Sequence, residues 1–208
     1  MVNKTLRREK EKELYKNEMI EAAERVFYGN GFENSSMNEI AKESDFTKRT
    51  LYKYFASKDD LLFAVLNKGF MQFLTFMKSE ISKTDRGFDQ FHAAIFAYYQ
   101  FYKDYPETLK LLNYISQSQA GESDGSKKFV DLKKEIMLEV IRTIETGQQD
   151  GSIRADLNAR QTTYSITFLL MGFLNELSVS GRTFSEHFEL NESDFVMNTF
   201  DLLFKAFL

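Results

Sequence analysis

The apolar positions of this chain recur at helical spacing almost from end to end. Met19, Ile20, Ala23, Val26 and Phe27 share one stripe and predict a first helix. It should stop at Gly29-Asn30-Gly31, because glycine readily takes the left-handed conformation that closes a helix. Ser36 followed by Glu39 is a capping-box pattern, in which side chain and backbone satisfy each other's free groups. It opens a second helix with Ile40 and Ala41 facing inward. Ser44-Asp45-Phe46 reads as a turn, Thr47 as the cap of a third helix, and Leu51 and Phe55 as its inward residues. Ser57 with Asp60 repeats the cap pattern. A fourth helix then follows through Leu61, Leu62, Val65, Leu66, Phe70, Phe73, Leu74 and Met77.

Beyond about residue 82 the predicted helices lengthen. One spans roughly Phe88 to Lys103. Pro106 suits the first turn of the next, where its missing N–H costs nothing, and that helix is expected to reach about Gln119. Residues 121–126 read as a loop. A long helix then carries Phe129, Leu132, Ile136, Val140, Ile141 and Ile144 on one side, with a break at Gly147 to Gly151. Helices over about Asn158–Ser180 and Asn191–Phe207 close the chain. A single proline and few strand signals make the fold all-α. The expected division is a helix-turn-helix head over 1–55, with 1–14 as a flexible arm, and a helical body over 56–208.

Charge changes this picture. The chain carries a net −4, which argues against a nucleic-acid partner. Residues 1–58, however, hold 12 Lys and Arg against 10 Asp and Glu, a net +2, and the remainder holds 15 against 21, a net −6. From Phe46 to Lys58 there are four cations, Lys48, Arg49, Lys53 and Lys58, with Tyr52 and Tyr54 between them and no acid. A helix so dressed, following a tight turn, is built to enter the major groove of DNA. Cysteine is absent, which excludes disulfides, thiolate metal sites and a cysteine nucleophile and fits a reducing cytoplasm. The charged N-terminus is no signal peptide, and no apolar run is long enough to span a membrane. His92 and His187 lie in no metal-ligand spacing, no catalytic motif is present, and no cofactor is expected.

The order GNGF, SMNEIA, TKRTLYKYF, SKDDL resembles the N-terminal DNA-binding domain of the TetR family of transcriptional regulators over residues 17 to 66. That resemblance implies a homodimer with one DNA-reading head per subunit and a helical C-terminal domain holding a small inducer. It implies contacts to DNA bases and phosphates from Thr47, Lys48, Arg49, Thr50 and Lys53. Phosphate bonds are implied from Tyr52 and Tyr54, and backbone contacts from Ser36, Asn38 and Lys58. The chain departs from the family's pattern at three places: Asp45 stands where glycine is usual in the turn, Arg49 where a small residue is common, and Lys53 where histidine is common.

The body offers less. Phe70, Phe73, Met77, Phe96, Tyr99, Tyr102, Tyr114, Phe168 and Met171 could line an apolar cavity for a bulky lipophilic or aromatic ligand. Core packing is the competing explanation for each of them. The last two helices carry apolar residues on more than one side. These include Leu169, Leu170, Phe173, Val196, Phe200 and Phe204, and the surplus suggests a helical dimer interface. The expectation is a ligand-released repressor that binds a near-palindromic double-stranded operator. The rival is a helical carrier or enzyme with a vestigial head.

Overall fold

The computed structural model describes residues 2–117 and 123–208, and among these every regular element is a helix. Their order is α1 (Val2–Asn30), α2 (Met37–Glu43), α3 (Lys48–Tyr54), α4 (Lys58–Ile81), α5 (Gly87–Asp104), α6 (Pro106–Gln117), α7 (Asp124–Asp150), α8 (Ala159–Phe188) and α9 (Glu192–Lys205).

Four boundaries differ from the predicted ones. The N-terminal segment expected as a flexible arm is the solvated first half of α1, without a break. No glycine or proline interrupts residues 2–28, Lys, Arg, Glu and Leu are good helix formers, and Arg7 pairs with Glu11 one turn on at 3.4 Å. The predicted loop at 121–126 is helical from Asp124. Its first two residues, and the predicted helix end near Gln119, lie outside the described residues. α7 continues through Gly147 and turns only at Gly151, whose φ is +77°. α8 runs past Ser180 to Phe188, with Gly181 in mid-helix, where an added Cβ would lie 3.1 Å from Leu177 one turn back.

The chain folds into two compact units. One comprises Met1–Gln72 with Tyr105–Leu132, the other Phe73–Asp104 with Lys133–Leu208. This is not a division at residue 55: α6 and the start of α7 pack with the head, and the chain passes from unit to unit within α4 and α7. The first unit has a core of Met19, Phe27, Ile40, Leu51, Leu61, Leu62 and Leu66, all fully buried. Phe70 stands edge-on to Phe129 at 5.2 Å, and Phe32 lies 4.5 Å from Tyr114. The Tyr28 and Thr108 hydroxyls, on α1 and α6, are hydrogen-bonded at 2.7 Å. Burial pushes the Tyr28 phenol up to about 12.

The second unit is centred on Phe91, Phe200 and Phe207. Phe91 packs on Phe207 at 4.5 Å and Tyr99 on Phe200 at 5.5 Å. Helices α5 and α7 meet at Gly87 and Gly147: a Cβ on Gly87 would lie 2.0 Å from the Gly147 nitrogen. The first N–H groups of α5 find their acceptors outside their own helix. Gly87 N–H donates to Asp150 Oδ2 at 2.7 Å and Phe88 N–H to Ser152 Oγ at 3.0 Å. The bond from Gly87, with those from Ser152, holds the Asp150 carboxyl below the usual carboxylate range.

Candidate nucleic-acid interface

The site is assembled by local signals. Ser36 is the N-cap of α2: its Oγ accepts from Glu39 N–H at 3.3 Å, and Glu39 Oε2 accepts from Ser36 N–H at 2.8 Å. Helix α2 then closes in a Schellman turn. Asp45 N–H donates to Lys42 O at 3.3 Å and Phe46 N–H to Ala41 O at 3.1 Å, with Asp45 left-handed at φ +56°. The Phe46 ring meets Tyr15 of α1 edge-on at 5.3 Å, so α1 braces the turn from outside. Sequence reasoning missed Tyr15, whose only signal was its place one turn before Met19 on the α1 stripe.

Thr47 caps α3, accepting from Thr50 N–H at 3.1 Å, and its hydroxyl lies 2.8 Å from that of Thr50. Leu51 and Phe55 are buried and fix the helix to the head. The opposite face bears Lys48, Arg49, Tyr52 and Lys53, all exposed, with Thr50 and Tyr54 half-buried beside them. Lys48 Nζ lies 5.9 Å from the centre of the Tyr52 ring. Asn38 is exposed on the first turn of α2.

Arg25 pairs with Glu43 at 2.6 Å and Lys68 with Glu24 at 2.8 Å. Among the described residues no ion pair engages Lys48, Arg49 or Lys53. Three cations left without acids beside a phenol hydroxyl make a surface complementary to a phosphate backbone.

Lys58 behaves differently. Its ammonium donates to the carbonyls of Phe32 at 2.7 Å, Ser35 at 2.9 Å and Glu33 at 3.3 Å, and stands 4.3 Å from the centre of the Phe32 ring.

The nine aromatic and methionine residues expected to line a cavity are divided between the two units. Tyr114 and Phe70 belong to the first unit. Phe73, Met77 and Tyr99 are buried in the second, Tyr102 is half-buried, and Phe96 is partly exposed. Phe73 lies 5.0 Å from Phe101, and Tyr99 lies 6.3 Å from Tyr102. Burial raises the Tyr99 and Tyr102 phenols, and the Glu192 carboxylate adds to it. Burial alone pushes Tyr98, beside Phe73, up to about 12. Phe168 and Met171 are exposed on α8, Phe168 at 74%. With Leu169, Val179 and Leu202 they form the uncovered apolar surface of the last two helices. Leu170, Val196, Phe200 and Phe204 belong to the stripe that the chain itself buries. Periodicity had marked the apolar sides correctly without saying which one the chain itself covers.

No helix among the described residues is long and apolar enough to cross a membrane.

The pattern of bacterial regulatory proteins of the tetR family matches residues 19–65, and that of the tetracyclin repressor-like C-terminal domain matches residues 89–194. The HTH-type transcriptional regulator SAB2452 of Staphylococcus aureus (strain bovine RF122 / ET3-1) is 43% identical over 58 residues, 28% of this chain and only 31% of that protein. The uncharacterized HTH-type transcriptional regulator YhgD of Bacillus subtilis (strain 168) is 24% identical over 143 residues, 65% of this chain and 70% of that one. The fold is that of the Bacillus subtilis transcriptional regulator FadR, solved in complex with stearoyl-CoA. The TM-score is 0.73 at 18% identity, over 92% of this chain and 98% of FadR. With its head inside one of these patterns and more than half its length inside the other, the chain belongs to the tetR family of bacterial regulatory proteins and is a DNA-binding transcription regulator.

Proposed function

We propose that the protein is a ligand-released repressor that binds a near-palindromic operator as a homodimer. The observation that carries this reading is the face of α3, where Lys48, Arg49 and Lys53 stand exposed without acid partners on a segment, Phe46 to Lys58, that contains no acid. In this reading Lys48, Arg49, Thr50 and Lys53 meet base edges and phosphates. Tyr52, Tyr54 and Thr47 bond phosphates, and Ser36 and Asn38 place the start of α2 on the backbone. Two such heads enter successive major grooves, about 34–36 Å apart. The uncovered apolar residues of α8 and α9, Phe168 and Leu169 among them, supply the surface that a second copy buries.

The ligand in this reading is lipophilic. The core of the second unit is rich in aromatic residues, which suit an apolar chain or ring. FadR, with the same fold, was solved with stearoyl-CoA, which makes a long-chain acyl thioester the first compound to try. A ligand that binds better to the state with mis-spaced heads releases DNA by that difference in affinity.

Gel shifts across a salt series test the DNA half: affinity falls steeply as salt rises. Arg49→Ala relaxes base preference, whereas Tyr52→Phe weakens all sites alike. Binding that survives both changes rejects the assignment. Stearoyl-CoA tests the other half by raising the melting temperature and releasing the operator. Tight binding that leaves operator affinity unchanged rejects the release mechanism.

A further inference from the structure

We propose that Lys58 is a positioning residue: it latches the start of α4 to the α1–α2 loop and so sets the end of α2 that faces DNA, without touching a phosphate itself. The inference rests on the reading of the α2–α3 face as the DNA-binding surface. An ammonium has three N–H donors and no acceptor. Here three carbonyls converge on it, from Phe32, Glu33 and Ser35, and the Phe32 ring covers it on another side. With all three protons so directed, none remains for a phosphate oxygen. The residue also sits at the first position of α4, where a helix dipole disfavours a cation. The carbonyl partners explain why a lysine is held there.

The loop it grips is the one that delivers α2. Ser35, whose carbonyl Lys58 holds, precedes the N-cap Ser36. Ser35 Oγ in turn donates to Gly31 O at 2.6 Å, and Phe32 is buried between Phe27 and Tyr114. Lys58 therefore ties the fourth helix to the segment whose last residue caps the second, and any shift of the start of α4 is passed to Ser36 and Asn38. A planar guanidinium cannot direct three N–H groups at three converging carbonyls, so arginine is not equivalent here.

The test compares wild type, Lys58→Met and Lys58→Arg on a duplex selected by the wild-type protein from a random-sequence library, together with amide exchange of the free protein. For Lys58→Met the latch predicts a parallel downward shift of log affinity against log salt, about tenfold, with the slope retained. Exchange at residues 31–36 becomes about tenfold faster. Lys58→Arg shows the same faster exchange. A phosphate ligand would instead lower the slope by about 1.8 for the two heads in Lys58→Met, and would leave exchange unchanged in both variants. Either of these results overturns the latch. Should wild-type binding show no salt dependence, the reading of the α3 face fails, while the exchange measurement, made without DNA, still decides whether Lys58 holds the loop.

Discussion

Asp45 is the residue on which the turn between α2 and α3 depends most directly. Its φ of +56° lies at the centre of the left-handed region, and both hydrogen bonds of the Schellman turn need that conformation. An ordinary L-residue loses roughly 1–2 kcal/mol there; aspartate loses less, because its short side chain tolerates the region. Glycine escapes that cost but gives up roughly 0.5–1 kcal/mol more chain entropy on folding. Asp45→Gly should therefore be neutral or slightly stabilising. Asp45→Ala should cost about 1 kcal/mol, and Asp45→Val, branched at Cβ, about 2 kcal/mol or more. Urea unfolding reads these differences as shifts in midpoint at constant slope, in the order Gly ≥ Asp > Ala > Val.

Operator affinity follows a second rule, since the Asp45 carboxylate is exposed at the foot of α3. A like charge about 10 Å from a phosphate in water repels it by roughly 0.4 kcal/mol, so removing it from both heads should tighten binding about fourfold at low salt. Asp45→Asn separates the two effects, because it keeps the left-handed tolerance and loses the charge. It should match wild type in stability and glycine in affinity. Alanine and valine variants as stable as wild type would refute the reasoning, for the turn in solution would then not be left-handed at residue 45.

The Asp150 carboxylate, held below its usual range by the Gly87 N–H, contributes stability that is fully present above its ordinary value of 3.8 and is lost as pH falls through the lower folded value. The stability difference between wild type and Asp150→Asn should therefore be flat above about pH 5 and shrink in more acid solution; thermal melts across pH check this, and a difference that stays constant into strong acid counts against the cap. Gly87→Ala drives a methyl group into the α7 backbone and should cost about 3 kcal/mol or more, a fall of roughly 6–12 °C in melting temperature. Phe168→Glu, on a side chain 74% exposed in the single chain, should leave the fold of the subunit intact. In sedimentation it should weaken the proposed dimer about a thousandfold, since a buried aromatic anchor is worth about 2 kcal/mol on each side of the symmetric contact.

What could be read from the sequence was what is settled over one helical turn. The capping box of Ser36 and Glu39, the cap at Thr47 and the turn at Asp45 each depend on residues three to five positions apart, and each was legible. The partners of Lys58 lie 23 to 26 positions away and those of Asp150 and Ser152 lie 63 and 64 away, so no local pattern announced them. The expected flexible arm, residues 1–14, is helical from Val2 on, because alternating Lys, Arg and Glu look alike in a solvated helix and in a coil. The end of α8 was placed too early, near Ser180, because the apolar spacing marks a helix's inward face and not how far its solvated end continues. Phe168 and Met171 were assigned to a cavity since apolar periodicity marks a face without naming what covers it.

The meeting of α5 with α7 constrains how this protein can mutate and recover. A methyl group at Gly147 would strike the Ile153 side chain, at 2.6 Å from its Cδ1 and Cγ1, so trimming Ile153 offers a second-site suppressor for Gly147→Ala. At Gly87 the obstacles are the Gly147 nitrogen at 2.0 Å, its Cα at 2.3 Å and the Thr146 carbonyl carbon at 2.6 Å, all main chain. No smaller residue can be substituted for a backbone that is already glycine. A lineage that loses Gly87 therefore has no compensating change at the contact itself, and only reversion restores the corner.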